Sequence, residues 1–123
     1  MIEGTLIAES LRVGTNLENL KLTVRKINRV RPEDTTSEEP EIWTLLEFEA
    51  DEADADDLTR IFADALDDQP MAWYADFRSP AETFVVFPGR IFRYPRGDRA
   101  GRAEAVAHGR QLAIPESQLD WPV

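Results

Sequence analysis

The pattern that most constrains the fold is a helical period set between two groups of alternating segments. Acidic residues crowd positions 51–57, where carboxylates complement the positive end of a helix dipole. Apolar residues then recur at the spacing of one face of an amphipathic helix, and they are Leu58, Ile61, Phe62, Ala65 and Leu66. We therefore expect a helix here that packs on a sheet.

Three segments before this helix alternate in the manner of strands. A first strand over about residues 5–13 leads into a turn at 14–16, where Gly and Asn favour a change of direction. A second, over residues 20–31, has mostly apolar even positions and mostly basic odd positions, a pattern that is broken at 26–28 and predicts one core face and one basic face. The third, over residues 42–50, carries glutamates that can pair with the basic stripe if the two strands are neighbours.

Three more strands follow the helix, at residues 71–77, 83–87 and 90–94. The last two are separated by Pro88-Gly89, which suits the central positions of a type II turn. We expect these two strands to form a hairpin.

A second helix should begin at the N-cap Asp98 and run to about His108, with Gly109 just past its end. The tail, residues 111–123, contains one more helical turn and is expected to pack on the domain through Leu119 and Trp121.

The element order is therefore β-β-β-α-β-β-β-α. It predicts a single α+β domain over residues 1–123, a two-layer sandwich whose mostly antiparallel sheet of about six strands carries both helices on one face. Residues 31–40 hold two prolines and four acids with few apolar anchors, so we expect a mobile acidic loop.

The charge balance limits the partners. The formal net charge is −10, and residues 33–77 hold sixteen acids against one arginine. Such a field repels phosphate, so we expect neither nucleic acid nor a membrane surface as a partner. No stretch is apolar enough for a membrane helix and the start has no basic leader, which favours a soluble, cytoplasmic protein.

Metal and cofactor chemistry is not indicated. The chain has no cysteine, which excludes thiolate zinc sites and iron–sulfur clusters. The acidic run at 51–57 fails as a calcium loop, because a loop that starts at Asp54 would need glycine at Thr59 and glutamate at Ala65. We expect no metal and no cofactor.

Catalytic motifs are equally scarce. The sole histidine, His108, falls near the end of the second helix, where the dipole favours an imidazolium. The serines at positions 10, 79 and 117 lie in no recognisable nucleophile context. The sequence therefore favours a protein that is not an enzyme.

An arginine series is the unusual feature of the last third. Arginines recur at every third position from 90 to 102, a period that fits neither a strand nor a helix. They can pair with the acids of the middle segment. Alternatively, Arg93, Tyr94, Arg96 and Arg99 can hold a carboxylate or phosphate beside the second helix N-terminus.

Two aromatic residues do not fit the core pattern of their strands. Most aromatic side chains have the spacing of a sheet core, although they could line a ligand pocket. Trp43 and Tyr74 are out of phase with their apolar neighbours, which predicts an exposed aromatic patch on the outer sheet face.

Two hypotheses about function follow. The first is a non-catalytic binding or assembly module that forms a homodimer through the outer sheet face around Trp43 and Tyr74. The alternative is a small-molecule or anion-binding protein, or a small enzyme, that uses the arginines around the last helix.

Overall fold

The computed structural model of the chain describes residues 1–33 and 35–123. These residues form one six-stranded antiparallel sheet, two α-helices and three short 3-10 helices. The strands are β1 (Ile2–Ile7), β2 (Thr23–Val30), β3 (Trp43–Ala50), β4 (Ala75–Arg78), β5 (Glu82–Phe87) and β6 (Arg90–Pro95). Helix α1 spans Ala55–Ala65 and helix α2 spans Arg99–Gln111. The predicted α+β class, its antiparallel sheet and the element order are confirmed.

The order of strands across the sheet, β2-β3-β1-β4-β5-β6, differs from their order along the chain. Strand β1 lies in the interior of the sheet and pairs with β3 on one side and β4 on the other. The first two strands are therefore not neighbours, and residues 11–22 connect β1 to the far edge. Gly14 has a φ of 96°, a conformation that glycine adopts without steric cost.

Pairing between β2 and β3 explains the basic stripe. Arg25 Nη2 lies 2.9 Å from Glu49 Oε2, and Lys26 Nζ lies 3.6 Å from Glu47 Oε2. The expected pairing of basic and acidic side chains across these strands is confirmed. The expectation of a core face on β2 is wrong at Val24, which is 44% exposed, because β2 is an edge strand.

Strand β5 is buried on both faces, and this property decides where the helices lie. Phe84 and Val86 belong to one apolar cluster together with α1, whereas Val85 and Phe87 belong to a second cluster together with α2. Successive side chains of a strand point to opposite faces of the sheet. The two helices therefore pack on opposite faces, and the expectation of two layers with both helices on one face is wrong.

The β5–β6 hairpin and the start of α2 agree with the sequence patterns. Gly89 has a φ of 70° in the two-residue turn, and the Asp98 carboxylate accepts hydrogen bonds from two backbone N–H groups, those of Ala100 and Gly101. Helix α2 continues to Gln111, so Gly109 lies inside it. A Cβ atom at position 109 would lie 2.7 Å from a methyl group of Leu119, so the glycine permits close packing of the tail.

The tail and the acidic loop are held by side chains. Leu119 and Trp121 are buried in the second cluster, and Trp121 Nε1 donates to the Tyr94 hydroxyl at 2.7 Å. In the loop at 31–40, Glu39 is buried and accepts a hydrogen bond from Gln118 Nε2 at 2.8 Å. Asp34 of this loop lies outside the described residues.

Gly4 lies at a closely packed position between the sheet and the α1 layer. A Cβ atom at this position of β1 would lie 2.4 Å from Phe77 Cβ and 3.1 Å from Phe48 Cζ. Because the site has no space for a methyl group, we expect Gly4→Ala to lower the free energy of unfolding by about 1–3 kcal/mol in urea denaturation.

The matched control is Thr5→Ala, since the neighbouring side chain is exposed on the other face of the same strand. We expect that variant to stay within about 0.5 kcal/mol of the wild type. Equal stability of the two variants would contradict the packing described for Gly4.

Candidate functional site

A cavity of about 350 Å³ opens on the sheet face that carries α2. Helix α2 packs on β6 at one side of this face, and the cavity lies beside it over the middle strands. Its floor includes Thr5 and Ile7 from β1 and Leu45 from β3, and its walls come from residues 71–75 and from the tail. Segments far apart in the sequence therefore meet around one concave surface.

Aromatic rings form one end of this cavity. The rings of Trp43 and Trp73 meet edge to face with centroids 5.3 Å apart, and Trp43 Nε1 donates to the Pro40 carbonyl at 3.0 Å. The Tyr74 ring packs against Phe87 and Trp121. These contacts hold the rings in fixed orientations.

The two aromatic residues that the sequence singled out both line this cavity. Trp43 is half-buried, and Tyr74 is largely covered by the tail. The structure thus brings Trp43 and Tyr74 to one site, where their surroundings are those of a pocket. Their role in an interface between two copies stays a prediction.

The other end of the cavity is polar and acidic. Asp76 and Asp120 line it together with Tyr74 and Gln118. The Tyr74 hydroxyl donates a hydrogen bond to the Gln118 backbone carbonyl. Burial, helped by the nearby charges of Asp76 and Asp120, raises the pKa of Tyr74 far above its usual range. The hydroxyl therefore stays protonated and neutral at physiological pH.

Asp76 is a carboxylate held where its charged form is disfavoured. Its side chain is only 26% exposed, and Arg78 Nη2 approaches its Oδ2 atom at 3.3 Å. Burial raises the pKa of Asp76 above the usual value, the Arg78 charge opposes that rise, and Asp120 adds to it. Perturbed carboxylates that lie in a concave site mark candidate functional groups.

The variant Asp76→Asn tests whether the ionised carboxylate lowers the free energy of unfolding at pH 7. A pKa that is raised in the folded state means that ionised Asp76 lowers stability at pH 7, and that this loss disappears as pH falls through the folded-state pKa. We therefore expect the free energy of unfolding of the variant at pH 7 to equal or exceed that of the wild type.

The pH dependence provides the control for that prediction. The difference between variant and wild type should shrink towards zero in urea denaturation series taken from pH 7 to low pH, because wild-type Asp76 becomes protonated. A variant that is clearly less stable at pH 7, or a difference that grows on acidification, would contradict the assignment.

The four residues of the predicted anion site are not brought together. Arg93 lies on the α1 side of β6, where its guanidinium contacts Glu82 Oε2 and Asp56 Oδ1, each at 2.7 Å. Tyr94 lies on the opposite face and is buried against the tail. Arg96 and Arg99 are exposed beyond the end of β6. For Arg93, the alternative of pairing with acidic residues is the arrangement observed.

His108 has aromatic surroundings. Its ring lies 4.9 Å from the Phe87 ring and 5.5 Å from the Phe92 ring, between centroids. Burial, with a smaller contribution from the Arg90 charge, lowers the pKa of His108, which is the direction opposite to the one expected from the helix dipole. Among residues 1–33 and 35–123 there is no group of three or more His, Asp or Glu side chains arranged to hold a metal ion, and no helix of a length and hydropathy that would cross a bilayer.

The sequence left most of this site undetected. Asp76 carried a signal, as an acid that alternates with apolar residues in the segment 71–77. Thr5, Gln118 and Asp120 carried none, because nothing in their local pattern says that the strand order and the tail bring them together.

Comparisons of the chain with protein-family models, with curated proteins and with solved structures found no match. The geometry of the cavity and the chemistry of its lining are therefore the features that indicate a function.

Proposed function

We propose that this protein is a non-catalytic binding module that holds a small molecule in the cavity beside α2. The observation that carries this proposal is the cavity itself, with about 350 Å³ of space between an aromatic end and an acidic end. Binding sites for small molecules are typically concave, mostly apolar and supplied with a few polar groups that fix orientation, and they begin at about 300 Å³.

The chemistry of the lining supports binding rather than reaction. Among the lining residues that the structure describes, none is a serine, lysine or histidine, and the chain has no cysteine. The Tyr74 hydroxyl is engaged with the Gln118 carbonyl and stays protonated, and Asp76 is paired with Arg78. These groups are suited to orienting a ligand by hydrogen bonds and charge.

A cavity-filling substitution tests the proposal. Thr5 is an exposed floor residue of β1, so Thr5→Trp should occupy the cavity without disturbing the buried clusters. We suggest screening a library of small aromatic compounds of all charge types by ligand-observed NMR. We expect a subset to bind the wild type and to lose at least about tenfold in affinity on Thr5→Trp, because the side chain takes the ligand's space.

Thr23→Trp is the matched control, since Thr23 is also an exposed strand threonine but lies on β2 outside this cavity. Compounds that bind in the cavity should bind this variant as they bind the wild type. Urea denaturation of both variants verifies folding. Absence of any binder, or binders that Thr5→Trp and Thr23→Trp affect equally, would overturn the proposal.

Homodimer formation through the outer sheet face around Trp43 and Tyr74 stays a separate prediction. A different exposed apolar surface lies on β2, where Val24 and Ile27 are 44% and 66% exposed. Sedimentation velocity over a range of concentrations measures the association directly. A monomer at every concentration would contradict the homodimer without affecting the binding proposal.

A further inference from the structure

The charged side chains that line the cavity are acidic. Asp76 and Asp120 line it, and no lysine or arginine does so among the described residues. Arg78 pairs with Asp76 and offsets one of the two charges. The Arg102 guanidinium donates to the carbonyls of Leu119 and Trp121, so a second positive charge lies at the tail, outside the lining. The charged groups of the lining itself are both carboxylates, so a ligand group at this end meets carboxylate oxygens, which favour a positively charged group over an anion.

A further carboxylate lies one hydrogen bond behind the lining. Gln118 lines the cavity and its Nε2 atom donates to Glu39 Oε1, which also accepts from the Thr36 N–H. Glu39 is only 6% exposed, and its Oε2 atom is buried with no hydrogen-bond partner among the described residues. The loop at 31–40 and the tail thus add a third acid close to the acidic end.

The aromatic end supplies a complementary surface for the rest of a ligand. The rings of Trp43 and Trp73, inclined at 66° to each other, form with Leu45 and Ile7 an apolar surface against which a hydrocarbon or aromatic body can pack. Aromatic faces also attract cations through the quadrupole of the ring. Both ends of the cavity are therefore compatible with the same class of molecule.

We propose that the cavity takes a small organic cation, an ammonium group carried on an apolar or aromatic body. This inference rests on the proposed binding function and adds the charge class of the ligand. The ammonium group lies at the end formed by Asp76 and Asp120, where carboxylate oxygens accept its N–H groups, and the body lies between the rings and the apolar floor. The charge class is opposite to the carboxylate or phosphate that the arginine series suggested.

Three compounds of one shape test the charge class. 2-Phenylethylamine is the cation, 2-phenylethanol the neutral isostere and 3-phenylpropionate the anion. Their affinities for the full chain are measured by isothermal titration calorimetry at low ionic strength. We expect the amine to bind about tenfold more tightly than the alcohol, and the carboxylate to bind most weakly, because one favourable charge contact at the cavity is of that size.

Charge-neutralising variants locate the contact. Asp120→Asn should weaken amine binding about threefold, as expected for an exposed charge, and Asp76→Asn should weaken it more, because Asp76 is less exposed. Alcohol binding should be unchanged in both. Asp64→Asn is the control, since it removes the same charge from an exposed position of α1 outside the cavity.

The outcomes separate this inference from the proposed function. If the alcohol or the carboxylate binds as well as the amine, and Thr5→Trp abolishes that binding, the cation class is overturned and the binding module stands. Equal weakening by Asp64→Asn and Asp120→Asn also overturns it, because the effect is then one of net charge. If none of the three compounds binds the wild type, this inference fails, and the wider library screen decides the binding module by itself.

Discussion

The two-sided burial of β5 is the constraint on which the rest of the structure depends. A strand whose alternate side chains are both apolar and large exposes a hydrophobic face whichever way it is turned, so both faces of the sheet must be covered there. Helix α1 covers one face through Phe84 and Val86, and α2 with the tail covers the other through Val85 and Phe87. Covering both sides with two short helices leaves the second face only partly covered, and the cavity lies in the space that remains.

The strand order places basic segments of the chain beside acidic segments, where their side chains form local ion pairs. The basic residues of β2 lie beside the glutamates of β3, and Arg93 of β6 reaches across to Glu82 and to Asp56 of α1. Such exposed pairs contribute little stability each, but they remove Arg93 from the group of free anion-binding residues. Asp76 and Asp120 line the cavity, and of these two acids Asp76 is paired with Arg78.

The cavity is lined by a poorly solvated carboxylate, Asp76, at the sheet face. Replacing Asp76 with a neutral residue would remove a destabilising charge, as the raised pKa indicates. Residues retained at a cost in stability are characteristic of sites that serve a function other than folding. The same applies to Glu39 Oε2, which is buried and has no hydrogen-bond partner within residues 1–33 and 35–123, since buried polar atoms are normally satisfied.

The sequence by itself determined the helical period at 58–66, the Asp98 cap, the Pro88-Gly89 turn and the number of strands, because hydrogen-bonding geometry and side-chain periodicity are local. It misplaced two strands: the one expected at 5–13 is Ile2–Ile7, and the one expected at 71–77 is Ala75–Arg78. The continuous apolar run at 84–87 is a further local sign that both faces are covered. The tertiary structure alone decided the strand order, the opposite placement of the helices and the convergence of Thr5, Trp43, Tyr74, Asp76 and Asp120. Those features depend on contacts between distant segments, and neither periodicity nor composition encodes which distant segments become neighbours.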